Sequence, residues 1–480
     1  MAYNSLQEFV QVLEREGELK RLAHPVKPEL EIAEIADRVM KRGGPALLFE
    51  NVVDKTIPVL INAFGSERRM ALALGVKDVA EIARDIEHLT RLKPPASWRE
   101  RFQLLPELLR VAGVAPKHAR DGECQEVVER DPDLTALPVL TCWPGDAGPF
   151  VTLPLVFSRD PVEGRRNVGL YRMQVFDRRT TGMHWHPHKV GARHFNRQKE
   201  CGGRMELAAC IGGDPALAYA ATAPLPDQID ELLFAGFLRK KPVELVKAVT
   251  VDVEVPASSD IVIEGYIDPA EPLRREGPFG DHTGFYSLAD DYPAFHVTCV
   301  TRKKHPIYLT TIVGRPPMED AYLGKATERI FLPLIRLTFP EIVDINLPVH
   351  GVFHNLAIVS IKKEYPGHAR KVMHGLWGLG QLMFTKVMIV VDHDVNVQDL
   401  AEVAWIVGNH IDPKRDVTFV EGPVDVLDHA APALGYGSKM GIDATVKRRD
   451  EGFERGWPDA IVMDEKTKRY IDSIWNKLGL

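Results

Sequence analysis

Ile261-Val-Ile-Glu-Gly-Tyr-Ile267 is followed, with no helical repeat between, by Phe295-His-Val-Thr-Cys-Val-Thr301 and then by the run Ile307 to Val313. Short runs of branched and aromatic residues between Gly and Pro punctuation read as strands, and strands that succeed one another without a helical crossover read as antiparallel. Upstream, Leu137-Pro-Val-Leu-Thr141, Leu153 to Phe157, Val168 to Phe176 and Val243 to Val255 have the same character. Only Pro226 to Leu238 reads as a helix inside this region. Residues 116–320 are therefore predicted to form an antiparallel sheet or barrel.

On either side the pattern alternates between helix and strand. In residues 1–115, Ser5 and Glu8 form a capping box ahead of Leu6, Phe9, Val10 and Leu13, and Gly17 stops the run. A second helix follows Pro28 on the stripe Ile32, Ile35, Ala36, Val39 and Met40; strands at Ala46 to Phe49 and Ile57 to Ala63 and helices at Ser66 to Leu74 and Asp78 to Leu92 complete an α/β segment. In residues 321–480, helices at Ala326 to Leu337, Gly367 to Met383 and Val397 to Val407 alternate with strands at Leu356 to Ile361, Val387 to Val391 and Val417 to Val420, which predicts a mostly parallel sheet. Tyr470, Ile474, Trp475 and Leu478 mark a terminal amphipathic helix whose apolar face needs a groove on its own chain or on a neighbour. The expected fold class is mixed α+β in three parts.

The 480 residues are ample for a buried core, and 60 basic against 67 acidic side chains, net −7, argue against a dedicated nucleic-acid or anionic-membrane binder. Cys124, Cys142, Cys201, Cys210 and Cys299 are odd in number and never spaced Cys-x-x-Cys, so neither a disulfide framework nor a structural zinc site is expected. The N-terminus has no apolar signal-like core, and a cytoplasmic location is expected.

The densest polar chemistry lies between Asn167 and Asp281. Strand alternation in Asn167-Val-Gly-Leu-Tyr-Arg172 places Asn167, Gly169 and Tyr171 on one face and Arg172 on the other, unless Gly169 carries a bulge. His184-Trp-His186-Pro-His188 puts three imidazoles on one side at period two, a metal or cofactor signal that Pro187 interrupts. Glu276 and Asp281 flank Gly-Pro-Phe-Gly, a tight loop that can aim both carboxylates into one cavity, where mutual repulsion or desolvation would raise the pKa of one of them. Gly375-Leu-Trp-Gly-Leu-Gly380 lacks the spacing and the preceding strand of a dinucleotide fingerprint.

Asn167-Val-Gly-Leu-Tyr-Arg-Met-Gln, Trp185-His-Pro-His, Glu231-Leu-Leu-Phe-Ala-Gly, Ile263-Glu-Gly-Tyr-Ile, Glu276-Gly-Pro-Phe-Gly-Asp-His-Thr-Gly-Phe-Tyr, Gly314-Arg-Pro-Pro and Gly437-Ser-Lys-Met-Gly-Ile-Asp-Ala-Thr together resemble the UbiD family of reversible (de)carboxylases, in order along nearly the whole chain. Within it they are most similar to the namesake branch acting on 4-hydroxy-3-polyprenylbenzoate. The resemblance implies a central split β-barrel that binds prenylated FMN and a C-terminal α/β oligomerisation domain. It also implies a divalent metal, usually Mn²⁺ and often accompanied by K⁺, between the flavin phosphate and the protein. By the same resemblance Asn167, His188 and Glu231 are the metal positions, and Leu170, Tyr171, Arg172, His184, Trp185, His186, His188, Lys189, Val190 and Lys439 are the cofactor positions. Arg172, Glu276 and Asp281 are the catalytic trio. The chain departs from the branch in having His184-Trp185-His186 for Arg-Trp-Leu and Lys189-Val190 for Arg-Gly, and it has Asp281 where the cinnamic-acid branch has Glu.

The implied reaction is decarboxylation of an aromatic acid with the flavin as electron sink, Arg172 holding the substrate carboxylate and Asp281 delivering a proton. Implied partners are a flavin prenyltransferase that supplies the cofactor and further copies of the chain in a dimer or hexamer; a polyprenylated substrate would bring the chain to a membrane surface. Two rival readings are a zinc hydrolase built on the three histidines and a non-catalytic subunit of a carboxylase.

Overall fold

The structure, a computed structural model, describes residues 2–91 and 113–479. At its centre a nine-stranded antiparallel sheet runs in the order Phe150–Val151, Met173–Asp177, Thr180–Gly182, Ala294–Arg302, Ile261–Ile267, Met205–Ile211, Leu155–Arg159, Arg166–Leu170, with Val127–Glu129 beside Ala294–Arg302. Arg166–Leu170 is one edge and Met173–Asp177 lies next to the other, yet only Tyr171 and Arg172 separate them in sequence. Laid flat, at ~4.8 Å per strand, these two strands would be about 29 Å apart. Three Cα steps reach at most about 11 Å. The sheet must curl until its ends face each other, and this split barrel holds Tyr171 and Arg172 in its slot.

Two helices that lack a clear apolar stripe, Val190–Cys201 and Pro215–Ala220, pack here beside the expected one, which spans Glu231–Arg239 and starts on the Asp230 cap rather than at Pro226. Val168 to Phe176 and Val243 to Val255, read as single strands, are each two. Ile307 to Val313 shrinks to Tyr308–Leu309, which leaves the barrel and pairs with Val59–Ile61. Leu137 to Thr141 makes only isolated bridges.

The N-terminal segment keeps its expected helices, with Leu6–Arg15 capped by Ser5, but Leu19–Leu22 and Tyr308–Leu309 join the two strands read in the sequence to make a four-stranded sheet. The last residue of the expected helix Asp78 to Leu92 lies outside the described residues; the described helix is Ala80–Thr90. One hydrophobic core runs without interruption from Leu6 through the barrel to Phe331. A buried ion pair, Arg239 Nε to Asp214 Oδ2 at 2.6 Å, reinforces the junction, because the Tyr3 N–H donates to the same carboxylate at 3.0 Å.

The long helix Glu319–Thr338 leads to a sheet ordered Ile342–Asn346, Leu356–Ile361, Val387–Asp392, Tyr436–Asp443, Val417–Pro423. It is mixed rather than mostly parallel. The two inner pairings are parallel, and the two edge strands run antiparallel because each is joined to its neighbour by a return loop instead of a helix. Val359 and Ile361 face one apolar cluster with Val372 and Leu376, while Ile358 faces another with Val403 and Ile406, the period-two signature of a sheet covered on both sides. The terminal helix Glu465–Ile474 buries no residue, and Tyr470, Trp475 and Leu478 are all exposed. No helix among the described residues is long and apolar enough to cross a membrane.

Gly265 sits at a register shift in Ile261–Ile267, where an added Cβ would stand 2.0 Å from the His296 carbonyl oxygen. Gly265→Ala should therefore destabilise by about 1–3 kcal/mol, read as a lowered midpoint of thermal unfolding. Gly408, in Leu400–His410 with nothing within 4 Å of its would-be Cβ, should show the opposite sign, a gain of roughly 0.5–1 kcal/mol in Gly408→Ala.

Candidate active site

The slot of the barrel places Arg172 among acids. Its Nε donates to Glu276 Oε1 at 3.0 Å and one Nη to Glu276 Oε2 at 3.3 Å; the same Nη reaches Ser287 Oγ at 3.1 Å, and the other Nη pairs with Asp281 Oδ2. The guanidinium also lies 4.6 Å from the Phe279 ring centroid, so the loop that brings the carboxylates brings a cation-binding ring face as well. Glu276 ends the strand Arg274–Glu276 and Phe279–Gly280 begins the next, and the Gly277 amide is tied to Gln174 at 2.8 Å on the barrel strand after Arg172. The loop is thus fastened to the element that carries the arginine.

The expected rise in a carboxylate pKa does not occur. Burial pushes both acids up. The charge of Arg172, then the bonds from His282, hold Asp281 well below the usual carboxylate range, and the His184 hydrogen bond together with Arg172 lowers Glu276. The reason is that the two carboxylates do not face each other across empty space; a guanidinium stands between them. Burial works against the charge on Arg172, but Asp281 and Glu276 outweigh it and raise its pKa.

His184 to His188 is a loop, not a strand, because Pro187 removes a donor from any ladder there. It still gathers the rings: His184 Nδ1 contacts Glu276 Oε2 at 3.0 Å, His184 Nε2 lies 2.7 Å from His186 Nε2, and the His186 and His188 centroids are 5.7 Å apart. Burial lowers the pKa of both His184 and His186, keeping them neutral. Among the described residues no three His, Cys, Asp or Glu side chains are grouped as a metal ion would require.

Around the edge strand Arg166–Leu170 lies a second constellation. It runs straight, with no bulge at Gly169, and the Tyr171 ring folds back so close that a Cβ on Gly169 would stand 2.4 Å from it. Tyr171 Oη accepts from the Gly191 amide at 3.4 Å, at the start of the helix Val190–Cys201, whose cap residue Lys189 makes no side-chain cap bond. Asn167 Nδ2 and Trp185 Nε1 are buried donors without partners. Glu231 Oε2 accepts from the Val168 amide at 3.2 Å, and burial pushes its carboxyl up to about 7. From the C-terminal sheet, Lys439 donates to the Met383 carbonyl, and burial pulls it down to about 8; the neighbouring Phe384 ring packs on His188 at 4.7 Å. Lys189 is pulled down by burial too, with Asp425 the carboxylate that opposes the shift. Leu170 ends the edge strand and Val190 begins the helix, both half-buried.

Two contacts across the barrel and the C-terminal sheet were not anticipated. His282 Nε2 lies 2.8 Å from His354 Nε2, and the Phe285 and His429 rings lie 4.4 Å apart. The partners are 72 residues apart in the first case, beyond any local spacing rule; for His282 the only signal was its place beside Asp281.

Family models match residues 10–88, 116–316 and 321–444 as the N-terminal, Rift-related and C-terminal domains of 3-octaprenyl-4-hydroxybenzoate carboxy-lyase. An uncharacterized protein of Archaeoglobus fulgidus is 53% identical over 480 residues, covering 100% of this chain and 99% of its own. Among solved structures, the UbiD-class enzyme HmfF of Pelotomaculum thermopropionicum, in complex with FMN, is 33% identical with a TM-score of 0.80, covering 95% of this chain and 97% of its own. An evolved dimeric form of it is in complex with prFMN. The vanillic acid decarboxylase of Sedimentibacter hydroxybenzoicus in its closed form is 28% identical with a TM-score of 0.86, covering 100% of this chain and 99% of its own. With its barrel slot, its acid-bound arginine and all three domain matches in order, the chain belongs to the UbiD family of carboxy-lyases.

Proposed function

We propose that the chain is a prenylated-FMN-dependent, reversible, non-oxidative decarboxylase of an aromatic or α,β-unsaturated carboxylic acid, with a 4-hydroxy-3-polyprenylbenzoate-type acid of quinone biosynthesis as its substrate. The observation that carries this reading is Arg172, buried in the barrel slot and bonded to both Glu276 and Asp281.

The residues suit the cofactor. A phosphate needs donors and compensating charge, and the uncapped start of Val190–Cys201, the unpartnered Asn167 and Trp185 donors, the half-buried Lys189 and the buried Lys439 offer both. Asn167, His188 and Glu231 would hold a divalent ion, Mn²⁺ before others, and a nearby K⁺; hard oxygen donors favour such cations, and a carboxyl raised to about 7 by burial gains most from one. Bound prenylated FMN supplies the electron sink for the reacting carbon. The chain does the rest. Arg172 takes the substrate carboxylate in a charge-assisted bond while Glu276, itself held by His184, keeps the guanidinium in place. An arriving carboxylate competes with Asp281 for Arg172 and adds a like charge, so the Asp281 pKa rises on binding and it takes up the proton that it then gives to the carbon vacated by CO₂.

Phe285, Leu288 and Leu434 are exposed apolar side chains on the acid loop and on the C-terminal loop that meets it, and they favour an apolar substrate. A naphthoate is the alternative acid; CO₂ release from a panel of aromatic acids by the flavin-loaded enzyme separates the two. Exposed Trp405, Phe419, Trp475 and Leu478 support a homo-oligomer, a dimer or a hexamer.

Chain made without a flavin prenyltransferase should fold but release no CO₂, and co-expression should restore both activity and a flavin spectrum. Asp281→Asn should lower the rate per bound flavin by about 10²–10⁴-fold with flavin retained; an unchanged normalised rate removes Asp281 as the acid. Glu231→Gln tests the cation position through pH. Because the folded-state pKa of Glu231 is raised to about 7, its burial costs nothing below about pH 4.5, destabilises the ligand-free chain increasingly between about pH 4.5 and 7, and costs a constant amount above that. The substitution should stabilise the chain at pH 8 by roughly 1–2 kcal/mol once solvent screening is discounted, read as a raised unfolding midpoint, and leave the midpoint unchanged at pH 4.5.

A further inference from the structure

Decarboxylation consumes one proton per turnover: a carboxylate enters, and neutral CO₂ and a new C–H bond leave. Asp281, the donor in the reading above, is only 7% exposed, and its Oδ2 is taken by Arg172. Its other oxygen does not face open water. Oδ1 accepts from the His282 amide at 2.8 Å and meets His282 Nδ1 at 3.0 Å. The far nitrogen, His282 Nε2, lies 2.8 Å from Nε2 of His354. Two imidazole nitrogens at that separation form a hydrogen bond only with one proton between them. His354 precedes the strand Leu356–Ile361, and the Phe353 ring stacks on His282 at 5.4 Å, holding the contact from the C-terminal side. The His354 ring that ends the line is only part-buried, and its neighbour Asn355 hydrogen-bonds to it.

We propose that the hydrogen-bonded line Asp281 Oδ1, His282, His354 is a proton relay that supplies the proton Asp281 takes up each time a substrate binds. The proposal rests on Asp281 being the acid. In each cycle the Asp281 O–H bond breaks as its proton joins the electron pair left on carbon. When the next substrate binds, the His282 imidazolium gives its Nδ1–H proton to Asp281, re-forming the acid while His282 keeps the proton it shares with His354, and the imidazole pair regains one proton from solvent on the side of the part-exposed His354 ring. One solvent proton is consumed for each CO₂ released, and no other reactant is needed.

The surrounding charges suit the direction of transfer. His282 faces Asp281, Asp320 and Asp425, and although burial opposes its charge, Asp281 more than compensates and raises its pKa, so a proton is stored next to the acid. His354 faces His282, Asp425 and Lys189, and burial lowers its pKa to about 4, so it passes a proton on rather than keeping it. The acid belongs to the barrel loop and the second imidazole to the C-terminal domain; the relay exists only while the two are apposed.

The test is rapid-quench measurement of CO₂ with flavin-loaded His354→Phe, which keeps a ring against Phe353 and removes both nitrogens. The proton stored at His282 should support one turnover per flavin at the wild-type rate, followed by a steady state at least 10-fold slower, and added imidazole should speed only the second phase. Equal slowing of both phases, or an unchanged steady state, overturns the relay. Should that variant not bind flavin, His354→Gln spans the same gap without passing a proton and should give the same burst. Asp281→Asn, run alongside, keeps the two claims apart. If it retains full rate per flavin the acid assignment fails, whereas an impaired Asp281→Asn with an unaffected His354→Phe sinks the relay alone. In ligand-free protein, ¹⁵N NMR should show His282 losing its proton at lower pH in Asp281→Asn than in wild type; no change there also overturns it.

Discussion

Two residues join the opposite ends of the central sheet, and most of the molecule follows from that. With only Tyr171 and Arg172 between Leu170 and Met173, the sheet has no freedom to lie open. The curl fixes the slot and sets Arg172 in it. It also puts the edge strand that carries Asn167 beside the start of Val190–Cys201, where Tyr171 meets the Gly191 amide. The acid loop is then fastened to the same stretch through Gln174. Scaffold and site are built from one length of chain.

Charge completes what the backbone starts. A guanidinium buried in the slot without partners would be too costly, and Glu276, Asp281 and Ser287 surround it at hydrogen-bond range. The same cation decides the protonation of its neighbours. Two carboxylates in one pocket suggested a protonated acid, but the intervening Arg172 reverses the sign of the shift. Which groups share a pocket could be read from Glu276-Gly-Pro-Phe-Gly-Asp281; what stands between them could not.

Legibility elsewhere followed local chemistry. Ile261–Ile267 and Leu356–Ile361 appear with the bounds expected of branched runs between turn residues, and Ser5 caps its helix. The central strand Met205–Ile211 escaped notice because Leu-Ala-Ala-Cys is poor in strand formers; neighbours on both sides and burial make it a strand. The helix Val190–Cys201 escaped because His-Phe-Asn-Arg-Gln-Lys carries no apolar stripe, and its placement comes from the barrel edge. Two strands of the C-terminal sheet, the edge strand Ile342–Asn346 and the inner strand Tyr436–Asp443, hid in stretches broken by Pro and Gly. The His282 to His354 contact depends on how two domains meet, a quantity that no window of sequence contains.

The arginine shared by two acids bears on how a catalytic cycle ends. Before any substrate arrives, Arg172 already has carboxylate partners. On the reaction proposed, an entering acid exchanges its own carboxylate for that of Asp281, so the group about to be lost is the one that secures binding. Once it has left as CO₂, the remaining arene offers the guanidinium nothing, and Asp281 returns to the position it gave up. On that reaction product inhibition should be weak, because the leaving group takes most of the affinity with it.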